Sequence, residues 1–196
     1  MKMKTLVKEI TRRLKYHHDK LYKEIPVTGD YWESTLFESL KAVGDTHATW
    51  KLGSHNIGAD IFKTQYGNIS CKSGLKRTTR AKDTKLVING SRTGNYPTIK
   101  EKKKFFAKKK EDVYFCLARI KKEWARGEKT YYLCVFKPLD HAGLDWKKTV
   151  SREGKFSGWS GSNQYMDCTI RNTMSEQVWS DISEDYFDEQ YTITIR

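Results

Sequence analysis

Two short apolar runs in the second half of the chain, VYFCLA at 113–118 and YYLCVF at 131–136, constrain the fold more than any other feature. Each is of strand length and bounded by charge. Neither approaches the roughly 20 residues that a membrane span requires. They predict strands over 112–120 and 129–137, joined by a charged turn at Gly127 and Glu128. The opening segment, MKMKTLVKEITRRLKYHH, is basic and has no apolar core, so it does not read as a secretory signal.

Other elements follow from periodicity. Leu6, Ile10, Leu14 and Leu21 recur near helical spacing and predict an amphipathic helix over 3–23, ended by Pro26 and Gly29. A second helix is expected over 30–43, with Asp30 as N-cap and Gly44 as its stop. Strand-like residues 49–52 come next. A hairpin of 59–63 and 68–72 is expected around Gln65-Tyr66-Gly67-Asn68. The polar, basic stretch 73–85 reads as a loop, 85–89 as a short element, and 90–97 as turns. A lysine-rich helix is expected over 98–110, an ordered Gly/Ser/Trp loop over 151–164, a strand over 166–170, a helix over 175–182 and a last strand over 190–196. This order predicts an α/β protein folded as one domain over 1–196.

Composition narrows the partners. With 37 Lys+Arg against 24 Asp+Glu, the formal net charge is +13. Acidic residues gather near the end, at Glu184, Asp185, Asp188 and Glu189, so the earlier chain is more basic still. Such a surface attracts a polyanion, with nucleic acid ahead of a membrane surface or an acidic protein. The four cysteines, Cys71, Cys116, Cys134 and Cys168, form no CxxC pair, which fits reduced thiols in a cytoplasmic protein and disfavours zinc. No Walker-type loop is present, so no nucleotide cofactor is expected. The five histidines form no metal-binding cluster, and His55 reads as structural.

The chemistry-bearing residues converge on the expected hairpin. Strand side chains alternate, so Ser70 and Lys72 share one face and Cys71 takes the other. A hairpin of this length brings Asp60 near Ser70 and Lys72. A carboxylate beside an amine suits phosphodiester hydrolysis: the carboxylate holds a divalent cation, and the lysine orients or deprotonates water or neutralises developing charge. On the second helix, at about 100° per residue, Glu33 falls on the side of Leu36, Phe37 and Leu40. Glu38 lies towards solvent. A glutamate in an apolar stripe needs a partner or a metal; Glu33 also suits a helix N-terminus for its dipole alone.

The segment Gly58-Ala59-Asp60 followed by Ser70-Cys71-Lys72 resembles the motif of the PD-(D/E)XK nucleases. Asp60 matches the family's aspartate and Lys72 its lysine, while Ser70 stands where an acidic residue is usual. Gly29 and Glu33 match an upstream Gly-x-x-x-Glu that family members often carry. The resemblance covers 29–75, with a looser one over Lys85–Thr93, ending in Ser91-Arg92-Thr93. It implies a restriction-endonuclease-like core with a central mixed β-sheet flanked by helices, and a type II restriction endonuclease acting on double-stranded DNA. It further implies Mg²⁺ held by Asp60, Glu33 and the Cys71 backbone carbonyl, catalysis by Asp60, Lys72, Ser70 and Glu33, and a homodimer or a successively nicking monomer. A repair nickase of the same fold, or a non-catalytic DNA-binding protein with a decayed site, are the alternatives.

Expected DNA contacts are Lys76, Arg77 and Arg80 in the basic stretch, and Arg92 among small polar residues. Asn163, Gln164, Arg171 and Asn172 have the side chains that read base edges. The segment around Trp159 reads equally as a recognition loop or as a purely structural one, and the lysine-rich helix reads as a solvated surface.

Overall fold

The computed structural model describes residues 3–50, 58–78, 83–108, 111–173 and 175–195. Along the chain run α1 (Met3–Tyr16), α2 (Asp30–Ala42), β1 (Thr49–Trp50), β2 (Ile61–Thr64), β3 (Gly67–Thr78), β4 (Thr84–Arg92), α3 (Ile99–Phe106), β5 (Val113–Arg119), α4 (Lys121–Ala125), β6 (Thr130–Phe136), β7 (Lys147–Val150), β8 (Phe156–Ser162), β9 (Met166–Arg171), β10 (Gln177–Ser183) and β11 (Glu189–Thr194). The architecture is α/β, with a large mixed sheet and a few flanking helices. No helix among the described residues is long and apolar enough to cross a membrane.

The chain divides into two compact units. The first takes Met1–Ser73, Lys110–Pro138 and Phe187–Arg196; the second takes Gly74–Lys109 and Leu139–Tyr186. In the first unit the strand order is β11-β6-β5-β3, with β2 also paired to β3 and β1 to β2. β5 and β6 are antiparallel, as are β6 and β11. β3 and β5 advance together. Asn68 O accepts from Asp112 N at 2.8 Å at their start, and further along Lys72 lies against the Tyr114 ring. Parallel neighbours need a long crossover, and the chain between Thr78 and Val113 supplies it. α1 buries Leu6, Ile10 and Leu14, and α2 buries Trp32, Leu36, Ser39 and Leu40. These join Ile61, Ile69, Cys71, Phe115, Leu117, Leu133 and Val135 in one core. The indole N–H of Trp32 donates to Phe115 O at 3.1 Å, tying α2 to β5.

The second unit orders its strands β4-β10-β9-β8-β7, each antiparallel to its neighbour, with the outer half of β3 against β4. α3 begins with a capping box between Thr98 and Glu101. Its Lys102 is fully buried and reaches Thr93 O at 2.9 Å, Tyr96 O and the Glu176 carboxylate. The helix is therefore anchored by a buried cation as well as by Phe105 and Phe106, and is more than a solvated surface.

Several expectations are corrected. Residues 73–78 continue β3, because residues 74–78 pair with β4 and the Lys76 side chain is buried against Glu184. Residues 156–162 are β8, not loop. Residues 177–183 are β10, not helix, since Val178, Ser180 and Ile182 are buried at a period of two. The first helix stops at Tyr16 and gives way to a π-turn over His17–Leu21. Gly29, at φ 55°, occupies the N-cap of α2, and Asp30 is the first helical residue. A short helix, α4, stands where only a turn is expected between β5 and β6.

Candidate active site

The β2–β3 hairpin turns at Gln65 and Tyr66, and Gly67 opens β3 with φ 85°. A Cβ at Gly67 would lie 2.6 Å from the Asp112 carboxylate, so the close approach of this turn to the start of β5 depends on glycine. Asp112 holds the junction by accepting from Asn68 N at 2.7 Å. The register pairs Ile61 with Ile69, and a bulge follows before Thr64 meets Gly67.

Asp60 sits one residue before β2, and its backbone N–H donates to Ile69 O at 2.8 Å. Its carboxylate Oδ2 accepts from Cys71 N at 2.6 Å and from the Ser70 hydroxyl at 3.3 Å. The alternation expected of β3 is present: the Cys71 side chain enters the core, while Ser70 lies beside Asp60. Burial pushes the Asp60 carboxyl up, opposed by the Lys72 ammonium and by the Cys71 and Ser70 hydrogen bonds, while Glu111 raises it further.

Glu33 reaches the same place from α2. Gly29 N donates to Ser73 Oγ at 2.9 Å, which fixes the start of α2 beside β3. The Glu33 carboxylate accepts from Trp50 Nε1 at 3.3 Å. Its pKa is raised, first by burial and then by the Asp60 charge, with Trp50 and Lys72 acting in the other direction. Glu38 is exposed and turned towards Arg13. Asp60, Ser70, Lys72 and Glu33 thus form one electrostatically linked group.

Two contributors have no local sequence signal. The Lys72 ammonium lies 5.5 Å from the centroid of the Tyr114 ring, and the Tyr114 hydroxyl donates to Glu111 at 2.8 Å. Both residues enter from β5 and the segment before it, some forty positions away. The charged pair Glu111-Asp112 directly ahead of an apolar strand is the one hint that the sequence offers.

Among the described residues no three His, Cys, Asp or Glu side chains are grouped to hold a metal. Mg²⁺ does not need such a cage, because it keeps several waters and takes one or two carboxylates with substrate phosphate oxygens. Asp60 and Glu33, two half-buried carboxylates of which the Asp60 charge makes Glu33 harder to ionise, fit that donor set; the Cys71 carbonyl is the third donor that the motif implies.

The other expected contacts lie in the second unit. Lys76 is paired with Glu184 and Arg77 with Asp181, so neither cation is unengaged. Arg80 lies outside the described residues, as does His55. Arg92 is exposed beside a cavity of about 330 Å³ with Gly94, Asn95 and Ser175. The Asn163 side chain accepts from Tyr165 N and Met166 N, so it shapes the β8–β9 turn, and Gln164 is exposed at its tip. Arg171 and Asn172 are exposed at the end of β9.

Comparison with protein-family models, curated proteins and solved structures found no match.

Proposed function

We propose that this chain is a Mg²⁺-dependent endonuclease of double-stranded DNA, of the PD-(D/E)XK type and acting as a type II restriction enzyme. The reading rests on one observation above all. The Asp60 carboxylate, the Ser70 hydroxyl and the Lys72 ammonium lie together at the β2–β3 hairpin, and Glu33 meets them from α2. The α/β architecture with its large mixed sheet and the basic charge of the chain agree with it.

Asp60 and Glu33 would hold Mg²⁺, which supplies charge neutralisation at the scissile phosphate and a more acidic water. The chain's own residues do the rest. Cys71 N and Ser70 Oγ fix the Asp60 carboxylate in one orientation. Trp50 does the same for Glu33. Lys72, set against Tyr114, orients the attacking water or neutralises the developing oxyanion. Ser70 supplies a hydroxyl where a second motif carboxylate is usual, which lowers the negative charge of the site by one.

That substitution also favours a second reading, a non-catalytic DNA-binding protein. Plasmid nicking and gel-shift assays on the wild type, Asp60→Ala and Lys72→Ala separate the two. The nuclease reading predicts metal-dependent cleavage that falls by about 10²–10⁴-fold in Lys72→Ala, with DNA binding retained. Binding without cleavage in any protein sinks it.

A further inference from the structure

Within the second unit, a cavity of about 470 Å³ opens at the ends of β7, β8 and β9, lined by Thr149, Phe156, Trp159, Thr169, Arg171 and Asn172 among others. Its volume lies in the range of small-molecule sites. Phe156 is 41% exposed. It meets Trp159 edge-on, with ring centroids 5.6 Å apart at 71°. The Lys148 ammonium lies 5.9 Å from the Trp159 ring centroid. Neither Lys148 nor Arg171 has an ion pair among the described residues, and Asn172 keeps its side-chain amide uncommitted there. The walls are fixed. Asn172 N donates to Ser157 O at 2.9 Å, Ser157 Oγ donates to Thr149 Oγ1 at 3.0 Å, and Gly158 brings β8 into close contact with the Ile170 carbonyl.

These features select a ligand that is flat, anionic and edged with hydrogen-bonding groups. Aromatic faces, here the exposed Phe156 and the half-buried Trp159, stack on bases, the two cations meet phosphate, and an amide pairs with a base edge. In a duplex the base faces are stacked on one another and cannot reach Phe156 or Trp159. We infer that this cavity binds an unpaired nucleotide of single-stranded DNA, a site separate from the hairpin carboxylates and independent of whether those cleave DNA.

The test uses the full chain in EDTA, so that cleavage plays no part. Fluorescence anisotropy measures binding of a 20-nucleotide oligo-dT and of a 20-base-pair duplex, with circular dichroism of each variant. Phe156→Ala and Trp159→Ala are each expected to weaken oligo-dT binding by about 5- to 100-fold, as loss of one base stack does. Phe156→Tyr should retain it, and duplex affinity should change less than about twofold. Lys148→Ala should lower the salt slope for oligo-dT by about 0.7, one single-strand phosphate contact. If Trp159→Ala misfolds, Phe156→Ala and Thr169→Trp, which fills the cavity, decide instead. No oligo-dT binding by the wild type, equal binding by the aromatic variants, or parallel losses for oligo-dT and duplex would each overturn the inference.

Discussion

Burial and a neighbouring negative charge at Glu111 hold the Asp60 carboxyl above its ordinary range, even with Lys72, Ser70 and Cys71 favouring its ionised form. A carboxyl with a raised folded pKa adds stability below its unfolded value of about 3.9. That stability is lost as pH rises through the folded value. At pH 7.5 the ionised Asp60 is therefore a cost to the metal-free fold. Asp60→Asn keeps an acceptor for Cys71 N and removes the charge. It is expected to raise the metal-free Tm by about 2–4 °C, roughly 1 kcal/mol for a chain of this size. Adding Mg²⁺ should stabilise the wild type and not the variant. A Tm lowered by several degrees in Asp60→Asn would contradict this account. His18 carries the opposite sign. It is buried, its Nδ1 faces the Tyr22 and Lys23 carbonyls at 3.2 Å, and its Nε2 meets the Tyr131 hydroxyl at 2.9 Å. Burial, then the adjacent His17, pushes its pKa down. The stability that it contributes is present above the unfolded value of about 6.5 and is lost as pH falls through the folded one. Urea midpoints should fall between pH 7.5 and 5.5 in the wild type and fall less in His18→Phe; equal declines would refute the assignment.

Elements in the second unit rest on a few positions that allow little change. Gly158 has φ 143°, and a Cβ there would lie 2.0 Å from Ile170 O, a backbone atom that cannot swing aside. Gly158→Ala should cost about 2–4 kcal/mol by strain and overpacking. A urea midpoint like that of the wild type would show that β8 and β9 part more easily than this. Lys102→Ala strands the Glu176 carboxylate and the Thr93 and Tyr96 carbonyls at the start of α3, and breaking such a buried pair costs about 3–5 kcal/mol. A loss under about 1 kcal/mol, measured by urea unfolding, would mean that water replaces the ammonium there. The same elements show what was legible in the sequence. α1, α2, β5, β6 and β11 carry strong periodicity or unbroken apolar runs, and they lie within a few residues of expectation except where α1 ends early in a π-turn. β8 was hidden because its glycines and serines look like loop, although Gly158 and Gly161 are small so that Ile170 and Trp146 can approach. In β10, Val178 and Ile182 are four apart, a spacing that both the helix and the strand period allow; Ser180, buried between them, settles the strand. The outer half of β3 is charged like a loop because Lys76 and Arg77 are neutralised by partners about a hundred residues away.

At the scale of the whole molecule, the candidate active site and the aromatic cavity fall in different units. The first unit assembles Glu33, Asp60, Ser70 and Lys72 from a hairpin and a helix adjacent in sequence, so their proximity could be read from strand alternation and helical phase. Tyr114 and Glu111 reach the same group only through the pairing of β5 beside β3, which no local pattern encodes. The second unit begins within β3, at Gly74, and returns between β6 and β11, and it carries the exposed Arg92, Gln164, Arg171 and Asn172 with the aromatic cavity. A net charge of +13 over the chain provides the attraction to a polyanion that both units can use. The most direct test of the central claim is digestion of a long, fully sequenced, unmethylated phage DNA with and without Mg²⁺, alongside Lys72→Ala. The account predicts discrete bands that require Mg²⁺ and are missing for the variant. Intact DNA under all conditions, or bands that persist in Lys72→Ala, would contradict it.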